Sequence, residues 1–165
     1  MSLIKNGTLV TDEYVDASAA EAIPAAGPVI VSFEQWQTNR DALLARGAPV
    51  GVRLKSDQSP ELIADDVAKL ALVALEFPKF RDGRAYSYAR LLRERYGFKG
   101  ELRAVGDVLL EQLFFMVRVG FDAFDVQQSP DPVAAFQTAL SDFSVWYQPA
   151  ADGRPTAMQL RRRRS

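Results

Sequence analysis

Short apolar runs alternate with amphipathic stretches along most of the chain, and this rhythm predicts repeated strand and helix units. Leu3-Ile4 and Leu9-Val10 flank Asn6-Gly7, a pair that accepts the positive φ of a tight turn, so the chain opens on a β-hairpin. Residues 17–28 read as a loop. The run 29–31 is a β-branched strand, and Ser32 with Gln35 has the S-x-x-Q spacing of a capping box for a helix that Gly47 ends. After a strand at 50–54, Ser59-Pro60 supplies an N-cap and first-turn proline for a helix with Leu62, Ile63, Val67 and Leu70 on one face. The same order recurs three times. A strand at 72–77 precedes a helix from about Arg84, carrying Ala89, Leu92 and Tyr96 and stopped by Gly97. A strand at 102–105 precedes a helix capped by Asp107, with Leu109, Leu110, Leu113, Phe114 and Val117 at i, i+3, i+4 spacing and Gly120 as terminator. A strand at 123–126 precedes a helix opened by Asp131-Pro132 and bearing Val133, Phe136, Ala139 and Leu140, and Val145-Trp146-Tyr147 reads as a sixth strand.

Strands separated by single helices must pair in parallel, because each crossover returns the chain to the same end of the sheet. The expected fold is therefore α/β, with repeated βα units, a mainly parallel sheet and an N-terminal hairpin. Too few units are present to close an eight-stranded βα barrel, which leaves an open sheet or a partial barrel. Residues 1–150 read as one domain, and 151–165 as a flexible basic tail ending in the run Arg161 to Arg164.

Composition narrows the chemistry. The chain has 20 Lys and Arg against 21 Asp and Glu, so no global field favours nucleic acid or an anionic membrane, and an anion site must be local. With neither Cys nor His, disulfides, thiolate catalysis and imidazole or thiolate metal ligation are excluded. No apolar run reaches the roughly 18 residues of a membrane span and the start lacks a signal-peptide core, which points to the cytoplasm. Glycine-rich nucleotide loops, a G-x-S-x-G elbow and acidic metal-loop spacing are missing, and no cofactor is assigned.

In parallel α/β folds ligands gather at the carboxyl ends of strands, where helix N-termini present free N–H groups. The richest exit follows the third strand of the periodic part. There Lys79, Arg81, Asp82, Arg84 and Ser87 crowd a loop that opens a helix, a composition suited to phosphate, sulfate or carboxylate. The competing structural account has Asp82 cap that helix and pair with Arg84 or Arg90, with Gly83 permitting the turn. Arg53, Glu76, Arg103 and Asp125 sit in otherwise apolar strands with alternating sign, so they form either an internal ionic row or the lining of a polar cavity. An enzymatic reading would use Glu76 or Asp107 as a catalytic general base beside Arg84 or Arg103. The aromatics Phe114, Phe115, Trp146 and Tyr147 read as core.

The segments Leu75-Glu76-Phe77-Pro78-Lys79-Phe80-Arg81-Asp82-Gly83-Arg84, Arg90-Leu91-Leu92-Arg93-Glu94-Arg95-Tyr96-Gly97 and Gly100-Glu101-Leu102-Arg103-Ala104-Val105-Gly106-Asp107-Val108 resemble the bacterial domain of unknown function 934 family. The likeness runs from Leu3-Ile4-Lys5-Asn6-Gly7 through Gly120-Phe121-Asp122-Ala123-Phe124 to Tyr147-Gln148-Pro149. It implies an accessory protein of assimilatory sulfate and sulfite reduction, encoded beside sulfite reductase and sometimes labelled an oxidoreductase. The partners it implies are sulfite reductase or another enzyme of sulfur metabolism and a small anion, with self-association left open. An oxidoreductase would need a borrowed cofactor. The chain departs from the family pattern at Arg81, where threonine is usual, and at Val119, where cysteine is usual. The first makes the loop more basic; the second removes any thiol chemistry at that position.

Overall fold

The computed structural model describes residues 2–79, 81–126, 131–141 and 145–162. The strands are β1 (Ser2–Lys5), β2 (Thr8–Val10), β3 (Val15–Asp16), β4 (Val29–Ser32), β5 (Val50–Leu54), β6 (Leu72–Phe77), β7 (Glu101–Gly106) and β8 (Ala123–Val126). The α-helices are α1 (Phe33–Ala45), α2 (Arg84–Arg90), α3 (Leu113–Val119), α4 (Pro132–Ser141) and α5 (Ala157–Arg162). The eight strands form one sheet in the order β2-β1-β8-β7-β6-β5-β4-β3. From β3 to β8 the neighbours are parallel; β1 runs antiparallel to both β8 and β2. The sheet is thus mixed, the hairpin adding an antiparallel margin to the expected βα units.

Its curvature follows from connectivity. Strands β2 and β3 stand at opposite edges, yet Val10 and Val15 are five residues apart in the chain. Five steps reach at most about 18 Å. A flat eight-stranded sheet would separate its edges by about 34 Å. The sheet therefore rolls into a partial barrel, and residues 11–14 bridge its open side.

All the packed helices lie on the outer face. Val29, Val31, Val52, Val73, Leu75, Phe77, Leu102, Ala104 and Phe124 point outward and are buried against Trp36 and Leu43 of α1, Ala85 and Ala89 of α2, Leu113 and Met116 of α3, and Phe136 of α4. On the inner face Ile30, Leu72, Ala74 and Val105 form a smaller buried cluster, with Tyr14 from the bridging segment packed on it. Near-continuous apolar strands are what two covered faces require.

Several local expectations are corrected. Ser32 and Gln35 do form the capping box of α1. The helix expected after Ser59-Pro60 is instead a pair of 3-10 turns, Pro60–Ile63 and Val67–Lys69. Between them the Asp66 carboxylate accepts from Arg40 and Lys69, which ties this connection to α1. The helix expected to run to Tyr96 passes from α2 into a π-helical turn, Leu91–Arg95, before Gly97 at φ +64° ends it. Asp107 does not cap the next helix, which begins with a 3-10 turn at Leu110 where Gln112 accepts from the Leu109 N–H. Residues 145–147 are not a strand: Trp146 is an anchor, packed 5.3 Å from Phe114 with the Arg118 guanidinium 4.9 Å from its ring. The supposed tail contains α5, where Arg161 and Arg162 are exposed; Arg163 and Arg164 lie outside the described residues, as does Phe80 of the basic loop. Among the described residues no helix is long and apolar enough to cross a membrane.

Candidate functional site

Strands β6 and β7 end side by side. Phe77 is in register with Gly106, and the Asp107 N–H donates to the Phe77 carbonyl at 2.7 Å, which fixes the exits of both strands on one rim. The basic loop therefore leaves the sheet beside the Gly106-Asp107 corner, as parallel pairing requires.

Ser56, Pro78, Lys79, Arg81, Asp82 and Arg84 line a depression of about 450 Å³ at this rim. Arg84 is already engaged. Asp82 accepts from its Nε at 2.9 Å and its Nη2 at 2.7 Å, and also from its backbone N–H at 3.3 Å. The Arg84 guanidinium holds the Asp82 carboxyl well below the usual carboxylate range. Arg84 Nη2 further donates to Ser56 Oγ at 3.0 Å, and Tyr88 Oη donates to the Ser56 carbonyl at 3.2 Å. The Ser56 hydroxyl also helps to hold down the Asp82 carboxyl, so it is shared between Asp82 and Arg84. Lys79 and Arg81 are exposed, and their side chains have no ion pair or hydrogen bond among the described residues. Gly83, at φ −86°, precedes α2 without a side-chain cap. Ser87 is exposed on α2 and does not line the depression.

The charged strand residues are elsewhere. Register sets Arg53, Ala74, Arg103 and Ala123 at one level of the inner face, with Glu76 and Asp125 two residues further on and pointing the same way. The alternating row resolves into two networks. Arg53 donates to Glu76 at 3.1 Å and Asp16 at 3.0 Å. Arg103, 3% exposed, donates to Glu101 at 2.7 Å and to both Asp12 oxygens at 2.6 and 3.1 Å, with its guanidinium 5.6 Å from the Tyr14 ring centre. Lys5 reaches the other Glu101 oxygen at 2.7 Å. With every Arg103 nitrogen occupied, this residue is an internal tie that holds the bridging segment to the sheet. Glu76 lies against Arg53, not Arg84. The Asp107 carboxylate has no hydrogen bond or ion pair among the described residues. The two proposed carboxylates and the basic loop therefore share an end of the sheet without sharing a pocket.

Asp125 stands apart in this row. It is half-buried and its side chain has no ion pair or hydrogen bond among the described residues, and burial raises its pKa against the opposing pull of Arg103 and Arg53. Ionising it costs more in the folded chain than in the unfolded one. Stability therefore falls as pH rises from the unfolded carboxylate value, about 3.9, through the raised folded value, and stays reduced above it. Asp125→Asn is expected to raise Tm by roughly 2 °C at pH 7 and to give no gain at pH 3. Thermal denaturation of both proteins at the two pH values checks this, and an equal effect at both would exclude an ionisation penalty.

Ser56, Asp12 and Tyr14 are the contributors that sequence reasoning missed. Ser56 has no local motif; it enters because parallel pairing brings the β5 exit beside that of β6. Asp12 and Tyr14 carry a signal, a charged and aromatic segment directly after a hairpin, but not its destination.

No curated protein matches the chain. A family described as bacterial protein of unknown function, DUF934, matches residues 51–158, from within β5 into α5, and so takes in both the rim loop and the Gly106-Asp107 corner. That span is well over half of the chain, and the chain belongs to the DUF934 family.

Proposed function

We propose that the chain is a binding accessory of sulfite assimilation, which holds a small oxyanion, or an acidic patch of a partner enzyme, at the β6 rim. The setting comes from the family resemblance; the binding comes from the rim itself. One observation supports it above the rest: Lys79 and Arg81 are exposed cations that line one depression and have no carboxylate partner among the described residues. Two unmatched cations at one depression suit a tetrahedral or pyramidal oxyanion. Arg84, neutralised by Asp82, acts as a positioning residue that sets Ser56 and the start of α2.

Titration with sulfite, followed by calorimetry at low ionic strength, tests the anion reading. Saturable binding is expected, weakened about tenfold or more in the Lys79→Ala/Arg81→Ala double variant, since each charge-assisted contact contributes about 1.5 kcal/mol or more. Co-purification of sulfite reductase tests the partner reading, with the same double variant expected to abolish it. Absence of both sulfite binding and enzyme capture, or normal sulfite reductase assembly and activity in a deletion strain, would reject the proposal.

A further inference from the structure

A cleft of about 720 Å³ lies on the outer face of the molecule, between α2, α3 with the 3-10 turn that precedes it, and residues 148–151. This volume falls within the usual range for a small-molecule site. The cleft is separate from the rim depression and shares no lining residue with it. Its walls are largely apolar: Phe115, Val119, Pro149, Ala150 and Ala151, with the Tyr86 ring beside them. Arg118 holds the C-terminal wall in place, donating to the Gln148 carbonyl at 2.7 Å and to Asp152 at 3.4 Å.

The polar groups decide what fits. Gln112 lines the cleft although it is only 7% exposed. Its side-chain oxygen accepts from the Leu109 N–H, an assignment fixed because that backbone group can only donate. The amide N–H2 of Gln112 then has no partner among the described residues and is open to the cleft as a donor. The Tyr86 hydroxyl also lacks a partner there, and burial raises its pKa, so it keeps its proton as a second donor. On the acceptor side stands Glu111, exposed and without an ion pair among the described residues.

Charge argues against an anion. Both lining guanidinium groups are matched, Arg90 by Glu94 at 2.9 Å and Arg118 by Asp152 at 3.4 Å, which leaves Glu111 as the lining charge without a counterion among the described residues. A carboxylate ligand would meet no free cation and one free anion. An uncharged ligand that offers a carbonyl to Gln112 and Tyr86 and an N–H to Glu111 satisfies all three groups. We infer that this cleft binds a planar aromatic lactam or amide, its flat apolar body against Phe115 and the 149–151 wall and its acceptor and donor edge turned to Gln112, Tyr86 and Glu111.

The probe is 2-quinolinone, an uncharged fluorescent lactam, with 2-naphthoate as an anion of similar size and shape. Fluorescence titration of the full chain is expected to show saturable quinolinone binding, and naphthoate binding at least about tenfold weaker. Glu111→Gln, on an exposed side chain, is expected to narrow the preference for quinolinone over naphthoate. Gln112→Leu is expected to weaken quinolinone about tenfold. Ala150→Trp fills the cleft from its outer wall and is expected to abolish binding even if Gln112→Leu fails to fold. The Lys79→Ala/Arg81→Ala variant should bind quinolinone normally, which separates this site from the rim. No saturable binding at millimolar probe, naphthoate binding as tight as quinolinone, or binding indifferent to Ala150→Trp would each overturn the inference.

Discussion

Arg93→Ala is expected to destabilise the fold by about 3 kcal/mol or more, measured as a shift of the urea midpoint. The π-helical turn after α2 carries Arg93 back toward the sheet, where its guanidinium is used from every side. Nε donates to the Gly120 carbonyl at 2.9 Å, Nη1 to the carbonyls of Phe98 at 2.8 Å and Gly100 at 2.9 Å, and Nη2 to Asp122 at 2.9 Å. Asp122 in turn accepts from the Leu102 N–H at 2.8 Å, so one side chain joins the end of α2, the start of β7 and the approach to β8. Alanine would leave three carbonyls and a half-buried carboxylate without their donor, and each unmet group costs about 1–3 kcal/mol where water cannot replace it. Lysine restores the charge but not the fork, so Arg93→Lys is expected to recover less than half of the loss. A midpoint within about 1 kcal/mol of wild type for Arg93→Ala would show that water enters and satisfies these groups.

Gly106→Ala is the second large effect, expected at about 2–4 kcal/mol. Gly106 has φ +92°, and a Cβ there would lie 2.5 Å from the Phe77 carbonyl oxygen. That oxygen cannot retreat freely, because it accepts the Asp107 N–H at 2.7 Å. Strain and collision therefore add. Gly47 separates the two terms: it has φ +68° with open space around its Cβ position, so Gly47→Ala should show the backbone penalty alone, about 1 kcal/mol. If the two variants unfold at the same denaturant concentration, the close approach of Gly106 to Phe77 contributes nothing. If the prediction holds, hydrogen exchange at the Asp107 amide should accelerate more than at amides in β4, since the rim bond is the one the new methyl group displaces.

Much of the fold was legible because its central strands are covered on both faces and read as apolar runs between helix caps. What escaped is what lacks a period. Strand β3 is two residues, Val15–Asp16, added to β4 in an aperiodic stretch, and no pattern in the sequence announces it. Residues 145–147 have the composition of a strand, but Trp146 is held by Phe114 and two guanidinium groups, so side-chain packing overrode strand propensity. The rim loop was readable from its density of cations, and the pairing of Asp82 with Arg84 matches the structural account of that loop. Free cations were readable only after pairing was known, which transfers attention from Arg84 to Lys79 and Arg81. Arg53, Glu76, Arg103 and Asp125 were conspicuous as charges within apolar strands, yet three of their partners, Asp12, Asp16 and Glu101, could be assigned only once register and the bridging segment were in view.

The four residues that cross from β2 to β3 have a consequence for how the chain folds. Residues 2–16 supply the strands at both margins, and they dock on partners made far later: Leu3 pairs with Asp125, and Asp12 grips Arg103 across 91 positions. Such distant pairings carry a large loop-closure cost and form slowly. The helix-covered middle, β4 to β8, is accordingly expected to assemble first, with the opening segment fastening over it last, like a belt drawn through its buckle.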